Sequence, residues 1–123
     1  VAEAYLNAAE AEMHINGEGS AKAKDYIDAL RNRAHAGVRA SYTLNDVLDE
    51  RARELYCEGL RRTDLIRFNQ FGGSQATYNW ELKGGSTNGT TFAKTYNVYP
   101  LPSSEVLSNK NLTQIDGYNE VQN

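Results

Sequence analysis

A mainly α-helical fold is predicted: an antiparallel helix pair, a third charged helix, and a long irregular or β-hairpin C-terminal part. Three observations carry this. Two early segments place small and apolar side chains at helical spacing with a short gap between them. A third helical segment follows a Thr-x-x-Asp start signal. From Gly72 onward helical spacing gives way to Gly, Ser, Thr and Asn.

The first helix is expected over residues 2–16, on Ala2, Tyr5, Leu6, Ala9 and Met13, with Gly17 as its stop. Ser20 is placed to cap the second helix, whose face runs Ala23, Tyr26, Ile27, Leu30 and Ala34, with Gly37 ending it. So short a connection makes the two antiparallel neighbours. Ala23, Tyr26 and Ala29 loosely match the small–aromatic–small spacing of a tetratricopeptide repeat. No second copy follows, so the pair reads as a remnant of such a repeat.

The third helix is expected to begin near Leu44, after Thr43-x-x-Asp46. At about 100° per residue, Leu44, Val47, Leu48 and Leu55 fall within about 60° of Arg51 and define the apolar face. Glu58 and, if the helix continues, Arg62 fall within about 20° of the same direction, and Gly59 interrupts the helix or marks its end. Charges aimed inward must be paired, because an unpaired buried charge is costly. A structural ion network of Arg51, Glu54, Glu58, Arg62, Asp64 and Arg67 is therefore expected. Thr63 or Asp64 is expected to cap a short fourth helix ending near Phe71.

Residues 72–97 hold Tyr78, Trp80, Phe92 and Tyr96. A structureless loop of that length is unusual in a compact domain. Asn88-Gly89 is a hairpin-type turn signal, so strands near 76–82 and 91–97 are expected. After Tyr99-Pro100-Leu101-Pro102, Ser103 is placed to cap one or two helical turns. Beyond Asn109 the chain is polar, with Leu112, Ile115 and Tyr118 as anchors.

Composition narrows the function. A formal net charge of −3 over 123 residues gives no general affinity for nucleic acid or an anionic membrane. No apolar run approaches the ~20 residues of a membrane helix. The single Cys57 leaves no intrachain disulfide and no cysteine-rich zinc site. His14 and His35 stand on different helices without a carboxylate at ligand spacing, so no metal and no cofactor is expected. The chain has no initiator Met and opens inside a helical pattern, which reads as part of a longer protein.

Two segments together resemble one family. Asp49-Glu50-Arg51-Ala52-Arg53-Glu54-Leu55-Tyr56-Cys57-Glu58-Gly59-Leu60-Arg61-Arg62-Thr63-Asp64-Leu65-Ile66-Arg67 is similar to the ERxxELxxEGxRxxDLxR signature of the SusD/RagB family. Tyr99 to Glu105, then Asn109 to Gln114 and Gly117-Tyr118, resembles its PIPxxEIxxNPNLxQNPGY segment. Ala2 to Ala11 and Ala29 to Ala34 resemble its preceding helix pair. Lys110 stands where Pro is usual, Ile115-Asp116 replaces Asn-Pro, and an Arg common ahead of the first Ala-Glu is absent.

The resemblance implies a single C-terminal SusD/RagB-like domain over residues 1–123, a fragment of a longer protein. It implies non-catalytic glycan binding at the outer membrane of a Gram-negative bacterium, exposed at the cell surface. The implied partners are the glycan and a TonB-dependent, SusC-like transporter that imports it. The membrane would be reached only through an N-terminal lipid anchor that this chain lacks.

The residues offer a glycan platform in Tyr78, Trp80 and Tyr96, because aromatic faces bury the C–H faces of sugars. Asn79, Lys83, Asn88 and Asn97 are placed to bond hydroxyls. The competing reading is that these rings pack the loop onto the helices. A second function class is a helical module that docks on the transporter without touching sugar. A third is a glycosidase using Glu54 and Glu58, one helical turn apart. Arg51, Arg61 and Arg62 beside them would hold both ionised, which speaks against an acid–base pair.

Overall fold

The computed structural model describes residues 1–118. It divides into two compact units, Val1–Asp64 and the segment from Leu65 onward. Five α-helices are present among the described residues: α1 (Ala2–Asn16), α2 (Ala21–Arg33), α3 (Leu44–Glu54), α4 (Arg61–Arg67) and α5 (Ser103–Ser108). Strands are absent among them, so the mainly α expectation holds and the hairpin does not.

In the first unit α1 packs against both α2 and α3. Leu6, near the start of α1, meets Leu30, near the end of α2, as antiparallel neighbours should. Leu55 joins that cluster from the end of α3. Ala9, Met13, Ala23, Ile27, Tyr42, Val47 and Leu48 are buried in the same unit. Each large side chain so buried contributes about 1.5–3 kcal/mol.

The helix ends follow local chemistry. Gly17 closes α1 at φ +87°, a backbone region open to glycine without strain. The Ser20 hydroxyl accepts from the Ala23 N–H and starts α2. Thr43 and Asp46 form the full capping box, with the Thr43 N–H donating to the Asp46 carboxylate at 2.8 Å. In contrast, α2 ends four residues before Gly37. His35 takes the left-handed conformation at φ +54°, and the Ala36 N–H closes on the Arg31 carbonyl at 2.8 Å. Histidine is one of the few residues enriched there. Gly37 instead offers its carbonyl to Arg31 Nε.

Helix α3 stops at Glu54, because Cys57 and Gly59 both turn left-handed, at φ +63° and +78°. The helix thus ends before Glu58 rather than at Gly59, which overturns the inward angle expected for Glu58. It also puts Cys57 on an exposed turn. Helix α4 begins at Arg61, upstream of both proposed caps. The Thr63 hydroxyl donates to the Leu60 carbonyl instead. Helix α5 includes Ser103 as its first residue, with Pro102 in the cap position and no side-chain cap.

The second unit is held mainly by loop closures. Gly72 and Phe92 form an isolated parallel bridge, and the Gly73 N–H donates to the Phe92 carbonyl at 3.0 Å. A side chain at Gly72 would stand 2.6 Å from the Ala93 carbonyl oxygen, so only glycine allows this approach. The Asn88-Gly89 turn does form, with the Gly89 N–H on the Ser86 carbonyl at 2.8 Å. Strands cannot extend from it, because Leu82, Gly84 and Gly85 all have positive φ. Gln114 clamps Leu101 through both of its backbone polar groups, at 2.9 and 2.8 Å. The Tyr118 hydroxyl lies 3.1 and 2.9 Å from the carbonyls of Thr95 and Val98.

The capping box gives a pH prediction. Partial burial pushes the Asp46 carboxyl up, but hydrogen bonds from Thr43 and the Arg39 guanidinium outweigh it, and the net value is lowered. Asp28 is also lowered: burial opposes, while Lys24 and the Tyr42 hydroxyl prevail. A carboxyl depressed in the folded state stabilises fully above the ordinary aspartate value. That stability is lost as pH falls from about 4 through the folded value. Thermal melts should therefore show Tm falling on acidification below about pH 4, with a shallower fall in Asp46→Asn. Thr43→Ala should cost about 1 kcal/mol at neutral pH.

Candidate functional site

The charged group, Arg67 apart, lies in the Val1–Asp64 unit, and the aromatic group in the segment from Leu65 onward. The charged group begins with Arg51 on α3. Its side chain is 2% exposed, and its Nε lies 2.9 Å from Oδ1 of Asp64, which is 3% exposed. The same guanidinium reaches α1 through Nη1, which donates to Asn7 Oδ1 at 2.7 Å. Arg61 Nη1 donates to the Leu48 carbonyl at 2.8 Å, a second tie from α4 to α3.

Glu54 pairs with Arg33 of α2. Glu58 is exposed on the turn after α3. Arg62 is half-buried, and Arg67 is exposed with its guanidinium 5.3 Å from the Phe68 ring. Sequence reasoning missed Glu50, a buried carboxylate that accepts from Arg31 at 2.8 Å and from Arg53 at 2.6 Å. A signal was available. Glu50 stands three residues after Val47, and Arg31 four after Ile27, both at the edge of an apolar face.

A cavity of about 460 Å³ opens at the turn between α3 and α4. Arg51, Leu55, Tyr56, Arg61, Arg62 and Asp64 are among its lining residues. Tyr56 is strongly exposed beside it.

The aromatic group lies in the second unit. Tyr78 and Trp80 have ring centroids 6.4 Å apart, Trp80 and Phe92 6.3 Å, and Phe92 and Tyr96 6.2 Å. Phe71 backs the row at 4.9 Å from Phe92. These are tilted and edge-to-face contacts, the favourable geometries for aromatic rings. Trp80 remains 38% exposed and Tyr96 55% exposed, whereas Tyr78 is half-buried.

The polar neighbours are committed differently from expectation. The Asn79 amide donates to the Asn88 carbonyl at 2.8 Å and holds the turn. The Asn97 amide donates to the Gly72 carbonyl. Lys83, read as a surface donor, is 2% exposed. Its ammonium donates to the Tyr78 carbonyl at 2.6 Å and lies 4.8 Å from the Trp80 ring centre. Burial pulls this ammonium below the ordinary lysine value.

An α-helical frame with a buried ion pair, joined in sequence to a loop that displays aromatics, defines a binding protein more readily than an enzyme. Among the described residues no His, Cys, Asp and Glu cluster could hold a metal ion. The chain belongs to the SusD family, whose model matches residues 1–118. That family consists of non-catalytic binding proteins. Over 119 residues the chain is 42% identical to the starch-binding protein SusD of Bacteroides thetaiotaomicron. This match takes in 96% of the chain and 20% of the relative. Among solved structures it resembles surface glycan-binding protein A from Bacteroides uniformis, with a TM-score of 0.72 and 30% identity. That alignment covers 92% of the chain and 26% of the other protein. A SusD superfamily protein from Parabacteroides distasonis shares the fold, with a TM-score of 0.74 at 24% identity, over 95% of this chain and 26% of that one. The chain thus spans about a fifth to a quarter of the length of these relatives.

The charged group makes a sharp contrast. Arg51→Met takes the guanidinium away from the buried Asp64 carboxylate and should lower stability by about 3–5 kcal/mol in denaturant melts. Glu58→Gln, on an exposed turn, should stay within about 0.5 kcal/mol of the parent.

Proposed function

We propose that this chain contributes a non-catalytic glycan-binding surface at the bacterial cell surface, with Trp80 and Tyr96 as its contact rings. The observation that carries this reading is an exposed aromatic row in a family of glycan-binding surface proteins. Tyr78 backs Trp80, and Asn79 shapes the turn beside it. Sugars are recognised by flat apolar faces over rings, and rings commit little rotamer entropy on binding. The carboxylates do not favour hydrolysis: Glu54 is engaged by Arg33, and Glu58 lies on a separate turn.

In this reading the protein sits at the outer membrane and hands captured oligosaccharide to a TonB-dependent, SusC-like transporter. Family membership supports that placement. The cavity between α3 and α4, with Tyr56 exposed beside it, favours a second reading. There the helical unit docks on that transporter and makes no sugar contact.

A titration separates the two. Malto-oligosaccharides and other soluble glycans are added while tryptophan emission and calorimetric heat are followed. The expected outcome is saturable binding that weakens about tenfold or more, ~1.4 kcal/mol, in Trp80→Ala. Binding that Trp80→Ala and Tyr96→Ala both leave unchanged would remove the platform. Loss of transporter capture in Tyr56→Ser, with no glycan response, would favour docking.

A further inference from the structure

Lys83 is anomalous as a buried cation. Lysine is almost never fully buried unless paired. Yet among the described residues no carboxylate pairs with it. Its ammonium meets the Tyr78 carbonyl at 2.6 Å and two rings. The ammonium lies 4.8 Å from the centre of Trp80 and 5.7 Å from that of Phe92. Both distances lie within the range of a cation–π contact, which is strongest on tryptophan and when desolvated.

The backbone around Lys83 is shaped to deliver that contact. Leu82 has φ +65°, unfavourable for a residue with a branched side chain, and Gly84 and Gly85 follow at +63° and +80°. The Lys83 carbonyl accepts from the Thr90 N–H at 2.9 Å, which closes the loop. The Lys83 N–H returns to the Trp80 carbonyl at 3.2 Å. One residue therefore ties the backbone on both sides of the turn and covers the indole as well. Backbone strain of this kind persists where surrounding contacts over-determine it.

Trp80 is 38% exposed while the ammonium over it is almost wholly buried. The exposed part of the indole is therefore not the face that Lys83 covers. The cation covers part of the ring, and part of the residue stays in solvent.

We infer that Lys83 is a positioning residue for ligand contact at Trp80: it fixes the indole from beneath so that the ring meets a glycan already in place. This rests on the aromatic-platform reading of the loop. A ring held before binding does not lose its motional freedom on binding, so affinity gains without any new contact to the ligand. Arginine and lysine are both suited to a ring face, whereas methionine keeps the stem and loses the charge.

The test compares Lys83→Met and Lys83→Arg with the parent and with Trp80→Ala, using glycan titration and acrylamide quenching of Trp80. The quenching signal is assigned by difference against Trp80→Phe. Lys83→Met should weaken glycan binding about tenfold and raise the quenching constant about twofold, with helical circular dichroism unchanged. Lys83→Arg should restore both to within about threefold of the parent. Parent-like affinity and quenching in a folded Lys83→Met would overturn the inference. So would Lys83→Arg failing alongside a folded Met variant, because packing alone would then explain the loss. If Lys83→Met does not fold, Phe92→Leu thins the cage from the other side. It should weaken binding about threefold, and no change there would overturn the inference too. If glycan binds but Trp80→Ala does not weaken it, the platform reading fails. Quenching alone then still reports whether Lys83 orders the ring.

Discussion

The Val1–Asp64 unit depends on the ion pair between Arg51 and Asp64. An arginine on the apolar side of α3 is tolerable only with a partner, and Asp64 supplies it at 2.9 Å with both side chains almost wholly buried. The guanidinium also holds Asn7 on α1, so one side chain joins three helices. Replacing such a pair with apolar residues need not destabilise a protein, whereas removing one partner does. The pair sets Asp64 of α4 against Arg51 of α3 once the chain has turned at Cys57 and Gly59. Arg61 on the Leu48 carbonyl repeats the same tie with a neutral acceptor.

This division of labour explains why the most distinctive residues are not the ones proposed to meet ligand. Charges that are buried against one another have little left to offer a sugar. The loop after Gly72 works by other means. Its rings pack tilted or edge-to-face, its turns close on backbone carbonyls, and its buried Lys83 ammonium meets a carbonyl and two rings. Part of Trp80 and most of Tyr96 stay in solvent as a result.

How much was legible in the sequence varies with the range of the interaction. Caps decided by three or four neighbours, at Ser20 and Thr43-Asp46, read directly. So did the pairing of α1 with α2, and the inward aim of Arg51. Endings set by a left-handed residue did not. His35 replaced Gly37, and Cys57 cut α3 short, which carried Glu58 out to solvent. A helical wheel presumes that the helix continues and cannot report such a break. The hairpin failed for a related reason: the Asn88-Gly89 turn formed, but positive φ at Leu82, Gly84 and Gly85 removed the strand on one side. Lys83 was illegible because its partners are a carbonyl and two rings, which no charge pattern announces. The motif residues Gln114 and Tyr118 proved to be clamps on the preceding loop, a role that their spacing alone does not state.

The most direct measurement is a double-mutant cycle on Arg51 and Asp64, using Arg51→Met, Asp64→Leu and the double variant in denaturant melts. A mutually dependent buried pair predicts a coupling energy of about 2 kcal/mol or more, with the double variant more stable than either single one. A coupling below about 0.5 kcal/mol, with the two losses simply adding, would contradict the account.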